Sequence, residues 1–188
     1  SGNEIEDDLS RLYLEGGGGG QRTESYELAL YFLARKTSID CFEKRSRRGY
    51  AFLIGDEMPY RRVKRREVED VFGDKLRSDI PIHEIVAEAQ QKYEIYYILP
   101  KLTSYYDRPE ILDCWRSLLG QNVLRLSDPA GISELIASTI GLAEEAVAWG
   151  DLQNDLRGVG TSQRVASSVA KTLKPLQFGE PIKGTGLS

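Results

Sequence analysis

The run Tyr50-Ala51-Phe52-Leu53-Ile54, followed by Gly55-Asp56-Glu57-Met58-Pro59, decides the fold of this chain. A short apolar run that stops at a glycine and a proline is typical of a strand that is buried on both faces and ends in a turn. Parallel sheets that are covered by helices on both sides contain such strands. The stretch therefore predicts a central strand of an α/β protein.

Helices and strands alternate on both sides of this run. The apolar spacing predicts helices over 25–37, 82–89, 109–120 and 129–143, and strands over 93–99 and 122–126. Strands that alternate with helices in this way imply crossover connections and a parallel sheet between two helical layers. The predicted fold class is α/β, a three-layer α/β/α arrangement with a mostly parallel sheet.

The chain is predicted to divide into an α/β domain over 1–149 and a C-terminal tail over 150–188. Glycines and prolines interrupt the tail, and only Val165, Val169 and Leu173 indicate a helix there. We expect this tail to dock by one helix and to add little to the core. Three strands are fewer than the roughly five or six that are usual in such a sheet. We therefore also expect that the first strand is missing from this sequence and is supplied by a longer precursor or by another chain.

Composition excludes several classes of protein. The 188 residues, of which 40% are hydrophobic, suit one domain of ordinary size, and no apolar run approaches the length of a membrane span. Two cysteines are too few for a disulfide scaffold, which favours a cytoplasmic location. A net charge of −4 argues against nucleic acid as a partner, and the single histidine, His83, excludes any site that needs two.

A run of five glycines, Gly16 to Gly20, precedes the first predicted helix. The run lacks the lysine of a phosphate-binding loop, and Gln21 stands where a dinucleotide-binding loop requires glycine. Two interpretations stay open. The run is either a flexible connector or a backbone loop, including Gly19, Gly20 and Gln21, that passes close to a ligand at the helix N-terminus.

Asp56 ends the best strand and is the first candidate for chemistry. Ligands of open α/β sheets bind where the strands end, and a carboxylate there, with Glu57 beside it, suits Mg²⁺ or Mn²⁺. The alternative is that Asp56 caps the turn that leads to Pro59. These two interpretations are evenly balanced on the residues alone.

Basic residues follow the same turn, and Tyr60, Arg61 and Arg62 are candidates for contacts with a partner. The clusters 44–48 and 61–66 could face phosphate, nucleic acid or an acidic protein. We favour a solvated surface that is balanced by neighbouring acids such as Glu67 and Asp70.

Taken together, Gly16 to Leu30 and Tyr50 to Tyr60 resemble the second half of a von Willebrand factor A (VWA) domain of the bacterial, intracellular type. The resemblance covers about residues 16–145 and implies a metal-ion-dependent adhesion site. It matches Thr23 to the threonine of the family's glycine-rich loop and Asp56 to the aspartate at the end of a central strand. The family's Asp-x-Ser-x-Ser motif, which lies on the first strand, does not occur in this chain.

The resemblance implies a protein–protein interaction module of a larger bacterial protein or assembly, and not an enzyme. A divalent ion, Mg²⁺ or Mn²⁺, would be held by Asp56 and Thr23 and completed by a carboxylate of the partner. With one motif missing, binding of the ion by this chain alone is expected to be weak. Two alternatives stay open: a Mg²⁺-dependent phosphohydrolase or nucleotide-handling enzyme that uses Asp56 and Glu57, and a structural assembly subunit with a vestigial metal site.

Overall fold

The structure is a computed structural model and describes residues 22–176. Its helices and strands in chain order are β1 (Thr23–Glu24), α1 (Tyr26–Arg35), α2 (Asp40–Arg45), β2 (Gly49–Ile54), β3 (Met58–Pro59), β4 (Arg62–Val63), α3 (Arg65–Phe72), β5 (Ile80–Pro81), α4 (Ile82–Ala89), β6 (Tyr93–Pro100), α5 (Pro109–Leu119), β7 (Val123–Leu126), α6 (Ile132–Ala143), α7 (Leu152–Gly158) and α8 (Gln163–Leu173).

A parallel sheet of order β2-β6-β7 lies at the centre. The middle strand, β6, is buried at every residue except Glu94, as expected for a strand that is covered on both faces. Two short ladders flank the sheet: β1 pairs with β3 in parallel, and β4 pairs with β5 antiparallel. The prediction of an α/β fold with a mostly parallel sheet is confirmed.

Successive residues of β6 point to opposite faces of the sheet and divide the core in two. Ile95, Tyr97 and Leu99 pack on the first face, against helices α1, α3, α4 and α5. Tyr96 and Ile98 pack on the second face, against α6, α7 and α8. The sheet is therefore the middle layer of three.

The tail contributes more to the core than the sequence indicates. It forms two helices, α7 and α8, and its buried residues on the second face are Leu152, Leu156, Val165, Ala166, Val169, Ala170 and Leu173. Ser162 begins α8 as its N-cap, because its hydroxyl accepts a hydrogen bond from the Val165 amide at 3.3 Å. The expectation that the tail adds little to the core is wrong.

The prediction that the run 50–54 is buried on both faces is wrong, because β2 is an outer strand and only Ala51 of its six residues is buried. The two outer strands of the sheet also differ in protection. The amides of Gly49 and Gly55 donate to carbonyls of Lys92 and Ile98, so the backbone groups of the odd-numbered residues of β2 face β6. The backbone groups of the even-numbered residues, Tyr50, Phe52 and Ile54, therefore face outward. Within residues 22–176 no strand pairs with this outer side of β2. On the opposite outer strand, β7, the Thr172 hydroxyl donates a hydrogen bond of 2.9 Å to the outward-facing carbonyl of Arg125.

Candidate functional site

The end of β2 and the short ladder beside it form the candidate surface for a site. After Ile54 the chain turns through Gly55–Glu57 into β3, and β3 pairs with β1 so that Met58 lies opposite Thr23. This pairing brings the start of the described chain to the carboxyl ends of the parallel strands. We term the surface formed by Thr23, Glu24, Asp56, Glu57 and Tyr105 the carboxyl edge.

Asp56 holds together two loops of the carboxyl edge. Its Oδ2 atom accepts a hydrogen bond of 3.0 Å from the amide of Tyr105, a residue in the loop that follows β6. The guanidinium of Arg22 lies over the Tyr105 ring, at 5.9 Å from its centroid, and donates to Glu110 at 3.0 Å. Asp56 is thus a cap, although it caps a loop distant in sequence and not its own turn.

Three carboxylates share the carboxyl edge without a cation between them. The pKa of Glu57 is raised, first because the side chain is partly buried and then because Glu24 and Asp56 place negative charge near it. None of the three forms an ion pair with any residue between 22 and 176. The edge therefore carries concentrated, uncompensated negative charge.

A cluster of aromatic rings supports the turn from beneath. The rings of Tyr97 and Trp115 stack with centroids 4.1 Å apart, and Tyr26 meets both rings edge-on. The Glu57 carbonyl accepts hydrogen bonds from Trp115 Nε1 at 2.8 Å and from the Tyr97 hydroxyl at 3.2 Å. These two bonds and the stacked rings fix the position of the turn that carries the carboxylates.

Gly55 allows this close approach. A Cβ atom at Gly55 would lie 1.8 Å from the Tyr26 hydroxyl oxygen, far inside contact distance. The glycine is therefore required by the packing of Tyr26 and not by its own backbone angles. The sequence indicates a turn at Gly55 but gives no sign of the ring that passes over it.

The predicted metal ligands do not form a metal site on their own. Thr23 lies in β1 opposite Met58, and one oxygen of Asp56 is used by the Tyr105 amide. In the part of the chain that the structure describes, no group of three or more His, Cys, Asp or Glu side chains is arranged to hold a metal ion. Since Mg²⁺ takes an octahedral set of oxygen ligands, the residues present do not fit the ion that the VWA resemblance implies.

The other predicted binding residues fall in two places. Tyr60, Arg61 and Arg62 follow β3, directly beyond the carboxyl edge, and both arginines are exposed. The carbonyl of Arg61 accepts from the Ile82 amide at 2.9 Å, which ties this stretch to α4. Gly19, Gly20 and Gln21 lie outside the described residues.

The basic clusters are largely neutralised by neighbouring acids. Lys44 pairs with Asp40 at 2.8 Å and Lys64 pairs with Glu67 at 2.7 Å. Further pairs join Arg47 to Glu144, Arg48 to Glu94 and Arg66 to Asp70. The favoured interpretation of these clusters as a balanced, solvated surface is supported by this pairing.

Glu27 is a residue whose environment sequence reasoning missed. In the first turn of α1 an acid is expected to be exposed and stabilised by the helix dipole. Glu27 is instead fully buried, and burial raises the pKa of its carboxyl to about 7, while hydrogen bonds from the backbone of Glu27 and Tyr60 act in the opposite direction. No sequence signal marks the burial, because it depends on how β3 and β4 cross the start of α1.

Among residues 22–176, histidine and cysteine form no catalytic arrangement. His83 is exposed on α4. Burial raises the pKa of the Cys114 thiol, which disfavours the thiolate form that a nucleophile needs. Within residues 22–176 neither cysteine sulfur is hydrogen-bonded to a base, and both cysteines are free.

Comparison with known proteins gives no family. No protein-family model matches the chain, and neither a curated protein nor a solved structure is significantly similar to it. The VWA resemblance stays a prediction. No helix within residues 22–176 is long and apolar enough to cross a membrane.

Proposed function

We propose that this chain is a protein–protein interaction module, as the VWA resemblance implies, and that its contact surface is the carboxyl edge. One observation carries the proposal: Glu24 and Asp56 add negative charge near Glu57 and raise its pKa, and none of the three forms an ion pair with residues 22–176. Like charges held close together cost free energy, so a fold that keeps them side by side benefits from a partner that compensates them.

Rigid support favours binding through this surface. The hydrogen bonds from Tyr97 and Trp115 to the Glu57 carbonyl hold the turn before any partner arrives. A surface that is already ordered loses little conformational entropy on association, which increases affinity. The exposed Arg61 and Arg62 border the acidic surface and would contribute to its selectivity.

The chemistry of the partner follows from the charge. With a divalent ion at Asp56 and Thr23, the partner would supply a carboxylate; without an ion, it would supply lysine or arginine side chains. Because the described residues do not fit a metal site, the second arrangement is the one that we propose. The two free cysteines are compatible with a reducing cytoplasm, which we retain as the proposed location.

Site-specific photocrosslinking tests the proposal. A photoreactive amino acid is placed at Arg61, beside the carboxyl edge, or at the exposed Gln91, at the opposite end of the sheet. We expect a defined crosslinked protein from position 61 and not from position 91, identified by mass spectrometry. The yield should fall about tenfold in the variant Glu24→Gln/Glu57→Gln, because the attraction to a basic partner is lost.

Three outcomes would contradict the proposal. Equal crosslinking from both positions would show that the carboxyl edge is not the contact surface. A crosslink that disappears in EDTA would favour the ion-mediated arrangement over a basic partner. Hydrolysis of phosphoesters or nucleotides with Mg²⁺ or Mn²⁺, abolished by Asp56→Ala, would favour the enzyme alternative.

A further inference from the structure

A groove of about 420 Å³ runs along the outer side of β7, between α5 and α8. It is separate from the carboxyl edge and from both basic clusters of the sequence. Its volume lies in the range of sites for small molecules. We term it the β7 groove, and the residues that matter are Tyr106, Arg116, Val123, Arg125, Lys171 and Thr172.

Cations from three different elements meet in the β7 groove. Arg116 comes from α5, Arg125 from β7 and Lys171 from α8, and no carboxylate is among the described lining residues. Arg116 and Lys171 form no ion pair with residues 22–176. Such a concentration of positive charge is unusual in a chain whose net charge is −4.

A second basic patch of the molecule shows the contrast. The shallow pocket beside α3 holds Arg65, Arg66 and Lys75, but Glu69 and Asp70 line the same pocket. There the charges compensate one another. In the β7 groove only Arg125 has an acidic partner, whereas Arg116 and Lys171 form no ion pair with residues 22–176.

Backbone amides add neutral donors to the same groove. The amides of Tyr97 and Lys101 bond to the carbonyls of Asn122 and Leu126, so the even-numbered residues of β7 face β6. The N–H groups of Val123 and Arg125 therefore point outward, and no described residue accepts from them. The outward carbonyl of Arg125 is already used by the Thr172 hydroxyl, so donors outnumber acceptors along this side of the strand.

Arg125 is held in place before a ligand arrives. Its guanidinium lies over the Tyr106 ring, 4.3 Å from the centroid, and donates to the Tyr106 carbonyl at 3.1 Å. It also pairs with Asp107 at 3.0 Å, a residue that is 90% exposed and so provides little compensation in the groove. A planar guanidinium in a fixed orientation is the group that proteins use to bind phosphate oxygens in pairs.

From this arrangement we infer that the β7 groove is a binding site for a small organic phosphate. The phosphate oxygens accept from Arg116, Arg125 and Lys171 and from the amides of Val123 and Arg125. Pro175 and Leu176, at the side of the groove, offer apolar surface to the organic part of the ligand. The inference concerns a different surface from the proposed function and does not depend on it.

Titration of the full chain with sodium pyrophosphate tests the inference, with citrate as a polycarboxylate of similar charge. Isothermal calorimetry should give saturable binding of one pyrophosphate, and the amide NMR signals of Val123 and Arg125 should shift with the same midpoint. Citrate should bind at least about tenfold more weakly, because each of its carboxylates offers two acceptor oxygens to the guanidinium groups and amides, whereas a phosphate group offers three.

Matched variants locate the site. Arg116→Gln/Lys171→Gln should weaken pyrophosphate binding by about tenfold or more, whereas Arg66→Gln/Lys75→Gln, in the balanced patch, should leave it within about twofold. Arg116 and Lys171 are both exposed, so the double variant should still give the NMR spectrum of a folded protein. The single variant Lys171→Gln repeats the test with less perturbation, and its affinity for pyrophosphate should fall by at least about threefold.

Every other result overturns the inference. Absence of saturable binding, or signals shifting elsewhere in the chain, excludes the β7 groove. Equal weakening by both double variants would show a general charge effect and not a site. Citrate that binds as tightly as pyrophosphate would exclude phosphate as the preferred ligand.

Discussion

The close packing of Tyr26 against Gly55, next to the carboxyl edge, leads to a stability prediction for Gly55→Ala. The added methyl carbon would lie 1.8 Å from the Tyr26 hydroxyl oxygen and 2.9 Å from Cζ of the same ring. The ring must then rotate away, and it loses edge-on contacts with Tyr97 at 5.9 Å and Trp115 at 5.2 Å. Two such contacts are worth about 0.5–1.5 kcal/mol each. We expect the free energy of unfolding to fall by about 2 kcal/mol.

Urea denaturation followed by tryptophan fluorescence measures this loss, since Trp115 is fully buried in the same cluster. The melting temperature should fall by about 4–8 °C, given the size of the chain. Gly150→Ala is the matched control, because nothing lies within 4 Å of the added carbon there. That variant should be as stable as the parent or slightly more stable.

A double variant identifies the cause. Tyr26→Phe removes the oxygen that lies closest to the new methyl group, so the double variant Tyr26→Phe/Gly55→Ala needs only a small shift of the ring. It should recover about 1 kcal/mol of the loss, a coupling of the size found between touching residues. If Gly55→Ala is neutral, or if the two substitutions are simply additive, the reasoning is refuted.

Three further variants, with Ser25→Ala as a control, test the buried acid and the C-terminal helix α8. The pKa of Glu27 is about 7 in the folded protein and about 4.5 in the unfolded chain. At a pH between these two pKa values unfolding releases a proton, so the stability of the protein falls as the pH rises from about 5 to 8. Glu27→Gln should remove most of this loss of about 2–3 kcal/mol, as measured by urea midpoints across that range; equal pH dependence in both proteins would contradict the assignment. Ser162→Ala should cost about 1 kcal/mol in thermal unfolding, and Ser25→Ala, at a helix start without a side-chain bond, should cost clearly less. Leu173→Ala, at a fully buried position, should cost about 2–5 kcal/mol by chemical denaturation, and a loss below about 1 kcal/mol would mean that α8 is weakly docked.

Much of the fold is visible in the sequence because apolar runs mark its strands, although β2 is an outer strand in which only Ala51 is buried. The apolar run 50–54 becomes β2, and the proline and glycine that bound the predicted helix after Asp107 become the start of α5 and its C-cap. Helix α3 escaped prediction because Val68 is its only fully buried residue and its charged surroundings look like a solvated segment. Helix α7 escaped prediction because three of its seven residues, Asn154, Asp155 and Gly158, are typical of turns and only two, both leucines, are buried.

The candidate site is predictable only in part. Asp56 was placed at the end of a strand by its position after the apolar run, and that placement follows from local pattern alone. Its partner, the Tyr105 amide, is 49 residues away, and the stacking of Tyr97 on Trp115 joins two separate elements. The β7 groove has the same origin, since Arg116, Arg125 and Lys171 are scattered in sequence and meet only in the folded chain.

Among residues 22–176, no strand covers the outer side of β2, and this side matters when two molecules meet in concentrated solution. Natural sheets discourage contact between molecules by placing charges, prolines or bulges on their outer strands. The six residues of β2 include none of these, and Phe32 and Ile54 beside the open side are 47% and 44% exposed. Two molecules that meet there can exchange hydrogen bonds with no charge on β2 to oppose them. Ile54→Lys, at the one exposed residue of β2, is therefore the substitution to introduce first when a monodisperse sample is needed.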